Sequence, residues 1–536
     1  FTKKLKLIAR TGLDFYTELR ARERAWSEPR NRYGNYLETT IKNMSLNTDI
    51  ILSQQMEQGD FDFNVSLGAN HRYLDGNGMS AEAGSLIIPG VFNLQNSEER
   101  PQVGNSRKQK EHFSGYGVIN TVYRDMIYLD ITGRNDWTST LSRDNNSYFY
   151  PSAALSVDLT EMFQINYGPL SFLKVRAAAA QVGSDTDPYR LDRYYVSSSS
   201  VNGGYSNPSI LPNPELKPER TNTVEYGVVA NFFDHRVSLD ATYYKSVTKD
   251  QILNLPVDAA SGYTGALMNA GSVSNRGFEF QLNAKPFVSR NFGWDINTNW
   301  STNKGKVEEL VPGVIDVYVI GSYVGSRVLV KADPGDQMGQ IYGQGYDKHN
   351  GEIIFKDGLA QRDNEEDLLG NVFPEWRAGI VNNLRYKNFN LSFQFDYQHG
   401  GNAYSITHFL LNYTGKSEKT IYGRESGAPY PSGSEYDMVS QSWIQNSDGR
   451  FGVIGDGVML DEETGEYVTN TASAPAPYFY NSMYERDQIE GNIYETTFLK
   501  LRNFRLGYSV PAIWGLKGAQ VGVFGNDLFI WTQFPS

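Results

Sequence analysis

A chain of 536 residues with 13% aromatics and 51 glycines carries the residue types of many strands and turns rather than of helical bundles. Its formal net charge of −12 weighs against nucleic acid, which needs clustered Lys and Arg, and zero cysteines exclude a disulfide framework and a thiolate metal site. No run approaches the roughly 18 apolar residues of a membrane-spanning helix, yet a membrane β-barrel stays open, because its strands are apolar only at alternate positions and average out as hydrophilic.

Alternation begins at once. Leu5, Leu7, Ala9, Thr11, Leu13 and Phe15 fall on one face of an extended segment, against Lys6, Arg10, Gly12 and Asp14 on the other. After a strand at 44–55 and a tight turn at 57–60, residues 61–72 repeat the pattern, with Phe61, Phe63, Val65, Leu67 and Ala69 opposing Asp62, Asn64, Ser66, Gly68 and Asn70. It recurs at Phe278, Phe280, Leu282 and Ala284, and at Phe389, Leu391, Phe393, Phe395 and Tyr397. About fifteen such segments can be counted, near the ten residues that a tilted strand needs to cross a bilayer.

The connections take turns. A long excursion is expected from 72 to about 112, a short one at 124–127, long at 135–147, moderate at 159–172, long at 184–220 and short at 233–236. Long at 249–275, short at 287–293, long at 305–375, two residues at 387–388 and about a hundred from 399 to 496 complete the series. Antiparallel strands put alternate connections at opposite ends, so one end is trimmed and the other elaborated. That asymmetry predicts an all-β, transmembrane antiparallel barrel with short periplasmic turns and long extracellular loops. Lipid offers no hydrogen-bond partner to an open edge, so such a sheet must close, and bacterial barrels close with an even number of strands. The reading therefore expects missing strands. By parity, Lys174 and Arg176 should face the lumen and Leu173, Val175 and Ala177 the lipid.

Local signatures add a resemblance. Residues 213–221 (NPELKPERT) followed by 222–227 (NTVEYG), and residues 271–279 (GSVSNRGFE), resemble segments of TonB-dependent transporters. Residues 148–163 (YFYPSAALSVDLTEMF), 172–183 (FLKVRAAAAQVG), 373–401, 498–511 (FLKLRNFRLGYSVP) and 526–532 (NDLFIWT) resemble the SusC/RagA-type branch, in its order. The resemblance implies an outer-membrane barrel of 22 strands, an N-terminal plug, a segment that contacts TonB, and a SusD-like surface lipoprotein over the extracellular mouth. It implies import of oligosaccharides or oligopeptides, with lipid and lipopolysaccharide around the wall. Residues 1–536 are expected to be one partial barrel domain without the plug, the first strands and the final strand.

No chemistry of catalysis is legible. The six histidines, His71, His112, His235, His349, His399 and His408, include no pair at i,i+3 or i,i+4. Residues 415–417 (GKS) imitate the end of a P-loop, but position 410 is Leu410 where a glycine is required. Neither an enzyme nor a cofactor is expected. Asp363, Glu365 and Asp367, in an expected long loop, offer oxygen ligands for Ca²⁺ without the spacing of an EF-hand, so a solvated acidic loop is the favoured reading. Loop aromatics are better substrate-binding candidates, because Tyr and Trp give a flat apolar face with a polar edge: Tyr194, Tyr195, Tyr205, Tyr430, Trp443, Tyr478 and Tyr480. For each of them, packing within its own loop or against the lipoprotein lid is the favoured reading. Trp294 and Trp300, on strands, are expected outward near the membrane interfaces. Two alternatives use the same barrel: import of a siderophore or vitamin, and an adhesive or structural barrel that transports nothing.

Overall fold

The computed structural model describes residues 4–27, 31–165, 168–197, 204–310, 317–325, 327–424, 428–429, 434–437, 442–445, 451–511 and 518–534. Fifteen strands form one sheet whose order follows the chain. They are β1 (Leu5–Arg24), β2 (Asn35–Gln58), β3 (Phe61–Ala83), β4 (Gln102–Tyr123), β5 (Ile127–Thr138), β6 (Ser147–Asp158), β7 (Leu170–Ser184) and β8 (Glu219–Phe232). They continue as β9 (Val237–Lys249), β10 (Ser272–Val288), β11 (Phe292–Glu309), β12 (Trp376–Tyr386), β13 (Phe389–His399), β14 (Phe498–Ser509) and β15 (Gln520–Thr532). Among the described residues no helix is long and apolar enough to cross a membrane. The fold is an antiparallel β-barrel wall, as the alternation and the loop rhythm predict.

The chain divides into two units, residues 1–230, 244–274 and 313–315, and residues 231–243, 275–312 and 316–536. In the first, the two faces of the wall differ as their sequences require. Leu7, Leu52 and Leu67 lie in register on one face, all exposed, which is where lipid belongs. On the other face the Arg10 guanidinium donates to Asp49 at 2.9 Å and Asn70 donates to the same carboxylate at 2.8 Å. The row continues through Arg134, which donates to Ser114 at 2.8 Å and to Asp136 at 2.7 Å. Lower down, Asn64 donates to Asn120 at 3.2 Å and Asn120 to Asp130 at 2.6 Å. Polar residues at every second position thus satisfy one another across the strands.

Lys174 and Arg176 share that polar face. Ser156 pairs with Arg176 and with Tyr128, and the Lys174 ammonium lies 4.5 Å from the centre of the Tyr128 ring. The Arg176 side chain crosses β8 where Gly227 stands, and a Cβ at Gly227 would overlap the guanidinium. In the second unit, Trp294 stacks on Phe287 with centroids 6.1 Å apart beside the 289–291 turn, and its indole N–H donates to Asn382 at 3.1 Å. Trp300, six residues further along, pairs with Ala378 at the middle of β11.

The trimmed end is made by very short links. Arg124 and Asp125 both take positive φ, 50° and 55°, inside a three-residue link whose turn is closed by the Met126 N–H donating to the Tyr123 carbonyl at 3.0 Å. Between β6 and β7 the link holds one turn of helix, α1 (Leu159–Met162), capped by Asp158, whose carboxylate accepts from the backbone N–H of Thr160 and Glu161.

One expectation is corrected. No excursion runs from 72 to 112: β3 continues to Ala83, β4 starts at Gln102, and only residues 84–101 connect them. Thr138, the last residue of β5, pairs with His112, which pairs with Arg72. The eleven residues of β3 from 73 to 83 therefore stand above the end of β5, about 37 Å at 3.4 Å per residue. There both faces meet water, so nothing forces apolar residues to alternate and the pattern fades while the strand goes on.

Candidate functional site

The elaborated end is not a set of free loops. In the first unit, residues 185–197, 204–218 and 250–271 carry contacts that tie these stretches to the wall and to each other. Just after β7, Asp185 accepts from the Lys110 ammonium at 2.7 Å and from the Thr138 and Thr140 hydroxyls. Burial opposes its ionisation, but these hydrogen bonds outweigh burial and hold the carboxyl below the usual carboxylate range. Leu141, Tyr148, Leu216 and Leu267 close a small core above it.

The 213–221 motif finds its physical role here. Asn213 accepts from the backbone N–H of Glu215 at 2.9 Å and donates to the Leu267 carbonyl at 3.0 Å. Asn269 answers it, accepting from the Lys217 N–H at 2.8 Å and donating to the carbonyls of Lys217 and Asp250, both at 2.8 Å. Leu216 has no exposed surface. The motif is a clasp between two excursions rather than a substrate contact. Beyond it, Tyr194, Tyr195 and Tyr205 are 50%, 74% and 76% exposed, so their rings are free to meet a ligand. Tyr205 lies on a two-residue strand, Tyr205–Ser206, that pairs with Val196–Ser197, close in the chain to the other two.

In the second unit, the described residues of the excursions at 310–375 and 400–497 form a folded layer. A four-stranded sheet of Tyr318–Tyr323, Val328–Ala332, Gln340–Tyr346 and Arg362–Asn371 meets helix α2 (Ile406–Tyr413) and helix α3 (Ala476–Tyr484). One core gathers Phe355, Val453, Ala474, Ala476 and Phe479, and another Val328, Ile341 and Ile489. Charge pairs join the two excursions: Lys348 to Glu490 at 2.6 Å, Arg362 to Glu485 at 2.9 Å, and Arg327 to Asp487. Burial holds the Glu485 carboxyl above the usual range, with Arg362 opposing.

The acidic candidates are not in a loop. Asp363, Glu365 and Asp367 lie on the strand Arg362–Asn371, whose register against Gln340–Tyr346 shifts between Arg362 and Glu366. Burial, Asp363 and Glu490 all raise the Asp367 carboxyl, the signature of crowded acids. Among the described residues no group of three or more metal-ligating side chains converges. Of the aromatic candidates, Tyr480 is tied down: its hydroxyl donates to the Tyr422 carbonyl at 3.1 Å and its ring meets Phe479 edge-on at 5.2 Å. Tyr478 lies on the same helix α3, half-buried. Tyr430 and the Trp443 side chain lie outside the described residues.

Sequence reasoning missed one cavity. A pocket of about 600 Å³ is lined by Ile320, Tyr323, Val324, Val330, Tyr404 and Ile406, among others. Its residues come from the four-stranded sheet, from 402–404 and from α2, so no local pattern could have found it.

Residues 4–327 match the family described as TonB dependent receptor-like, beta-barrel. The TonB-dependent receptor P26 of Formosa agariphila is 25% identical over 94% of this chain and 50% of its own length. The TonB-dependent receptor SusC of Bacteroides thetaiotaomicron is 23% identical over 94% of this chain and 48% of its own. The solved RagAB peptide transporter superposes with a TM-score of 0.73 at 18% identity, covering 99% of this chain and 57% of that one. The chain spans about half the length of the curated relatives it matches.

Proposed function

The chain belongs to the TonB-dependent receptor-like β-barrel family, and from that premise we propose that it is the wall and outer loops of an importer for nutrient oligomers, oligosaccharides or oligopeptides, in an outer membrane. The observation that carries this reading is the folded layer at the elaborated end. Two excursions with their own cores and salt bridges suit a capture chamber better than a bare pore rim. A wall of this width encloses water, so a plug must stop leakage and couple substrate release to TonB.

A plug, further wall strands and a TonB-contacting segment belong to the proposed whole protein, together with a SusD-like lipoprotein over the mouth. The likeness to SusC and to the RagAB peptide transporter supports that assembly. Tyr194, Tyr195 and Tyr205 are proposed as substrate-contacting aromatics, since their rings are exposed. The test is uptake of labelled oligomers by cells carrying the complete gene, with and without TonB. Uptake should stop when TonB is lost, and uptake that persists overturns the energised mechanism. Co-purification of a surface lipoprotein with the transporter tests the lid.

A further inference from the structure

We propose that the cavity between the loop sheet and α2 is a subsite for the C-terminal apolar residue of an oligopeptide, with Arg486 at its mouth taking the terminal carboxylate. This rests on the import reading above and names its substrate class. Three observations converge. The volume, about 600 Å³, lies within the range of small-ligand pockets and well above what one buried water needs. Its lining is dominated by Ile320, Val324, Val328, Val330, Ile341 and Ile406, which favours an apolar guest over a sugar, whose hydroxyls would have to be stripped of water.

The second observation is one unanswered polar atom. Asn402 and Thr496, also in the lining, already hydrogen-bond within the protein, to the Asn371 N–H and to the Gly400 carbonyl. The Tyr404 hydroxyl is buried without a partner among the described residues, and burial pushes its pKa up to about 12. A neutral phenol in an apolar wall offers a guest a single donor or acceptor.

The third is charge. Arg486 is exposed, and a guanidinium nitrogen comes within 3.6 Å of a Cβ position on Gly325, the neighbour of the lining residue Val324. Its charge also reaches the Tyr404 hydroxyl. The flanking acids are spent elsewhere, Glu485 on Arg362 and Asp487 on Arg327, and Arg486 makes no ion pair among the described residues. A fork of N–H donors beside an apolar pocket matches a carboxylate next to an apolar side chain.

A fatty acid shares that chemistry, so the experiment separates the two sources. Calorimetry on the purified complete transporter uses N-acetyl-Ala-Ala-Phe as free acid and as amide, N-acetyl-Ala-Ala-Ser, and decanoate. The Phe acid should bind about tenfold more tightly than the Ser peptide and several-fold more tightly than its own amide. In Arg486→Gln the difference between acid and amide should vanish while that between Phe and Ser persists, and Ile320→Arg should erase the latter. Equal affinities for the Phe and Ser peptides, tighter binding of decanoate, or a partner protein's segment filling the pocket in a structure of the complex would each overturn the proposal. Binding is read without uptake, so either assay can fail while the other stands.

Discussion

The ring of Tyr148 lies across Gly183, and a Cβ on that glycine would overlap the ring carbons. Tyr148 is 6% exposed and belongs to the core that also holds Leu216. Gly183→Val must therefore displace the ring, and the expected cost is about 1–3 kcal/mol, the usual range for overpacking. Chemical denaturation of the reconstituted barrel should show the loss. Gly183→Val combined with Tyr148→Ala should lose less than the sum of the two singles, because one removes what the other strikes.

Facing can be tested on one strand. Val175 and Ala178 lie on opposite faces of β7, and Ala178 shares a wet cavity with Asp130, Arg176 and Glu225. Val175→Arg should cost about 2–4 kcal/mol in lipid, as for a cation at the bilayer midplane. Ala178→Arg should be nearly neutral in the same folding assay, with carboxylates at hand. The reverse order of tolerance would mean that lipid and lumen have been exchanged.

Asp185 makes stability depend on pH with a definite sign. Its carboxyl is held below the unfolded value, so the stabilisation is complete above about pH 4 and is lost as pH falls through the folded value. Denaturation midpoints should therefore begin to drop as pH falls below about 4. Lys110→Met removes the closest cation, leaving the Thr138 and Thr140 hydroxyls and His112, 3.4 Å away, as partners of the carboxylate, and should cost about 1.5–3 kcal/mol at pH 7. Asp185→Asn should flatten the acid limb.

These residues also mark what was legible in the sequence. Phe61 to Ala69 announced a strand because lipid on one side and water on the other impose alternation. Residues 73–83 of the same strand were hidden because water lies on both sides. The 213–221 motif was visible as a motif, yet its work, Asn213 on Leu267 and Asn269 on Lys217, depends on contacts more than fifty residues apart. Among the aromatics, Tyr195 and Tyr480 read alike, and only tertiary packing left one exposed and bound the other to Tyr422. Tyr404 and Arg486 carried no signal, since a pocket built from distant segments has no period.

The clasp predicts a local, not global, effect. Asn269→Ala deletes three hydrogen bonds that tie residues 217 and 250 together, worth about 2–3 kcal/mol in sum at the usual net value. The wall pairs elsewhere, so its denaturation midpoint should hardly move. Limited proteolysis should instead cut residues 185–218 faster, and unchanged cleavage would show that the clasp does not hold that excursion.

Ile489 tests whether the two excursions of the second unit form one layer. It is fully buried between Val328 and Ile341, and its backbone N–H donates to the Gln344 carbonyl at 3.0 Å. It also fills the space above Gly343, where a Cβ would come within 2.9 Å of three Ile489 side-chain carbons. Ile489→Ala should cost about 2–5 kcal/mol as a cavity, and Gly343→Ala about 1–3 kcal/mol as a clash. Each alone should loosen residues 310–375 and 400–497 together, read by proteolysis of both excursions. The double variant should recover part of the loss, because the new methyl group enters the cavity the other change opens. Strict additivity would mean that the two segments fold as separate loops.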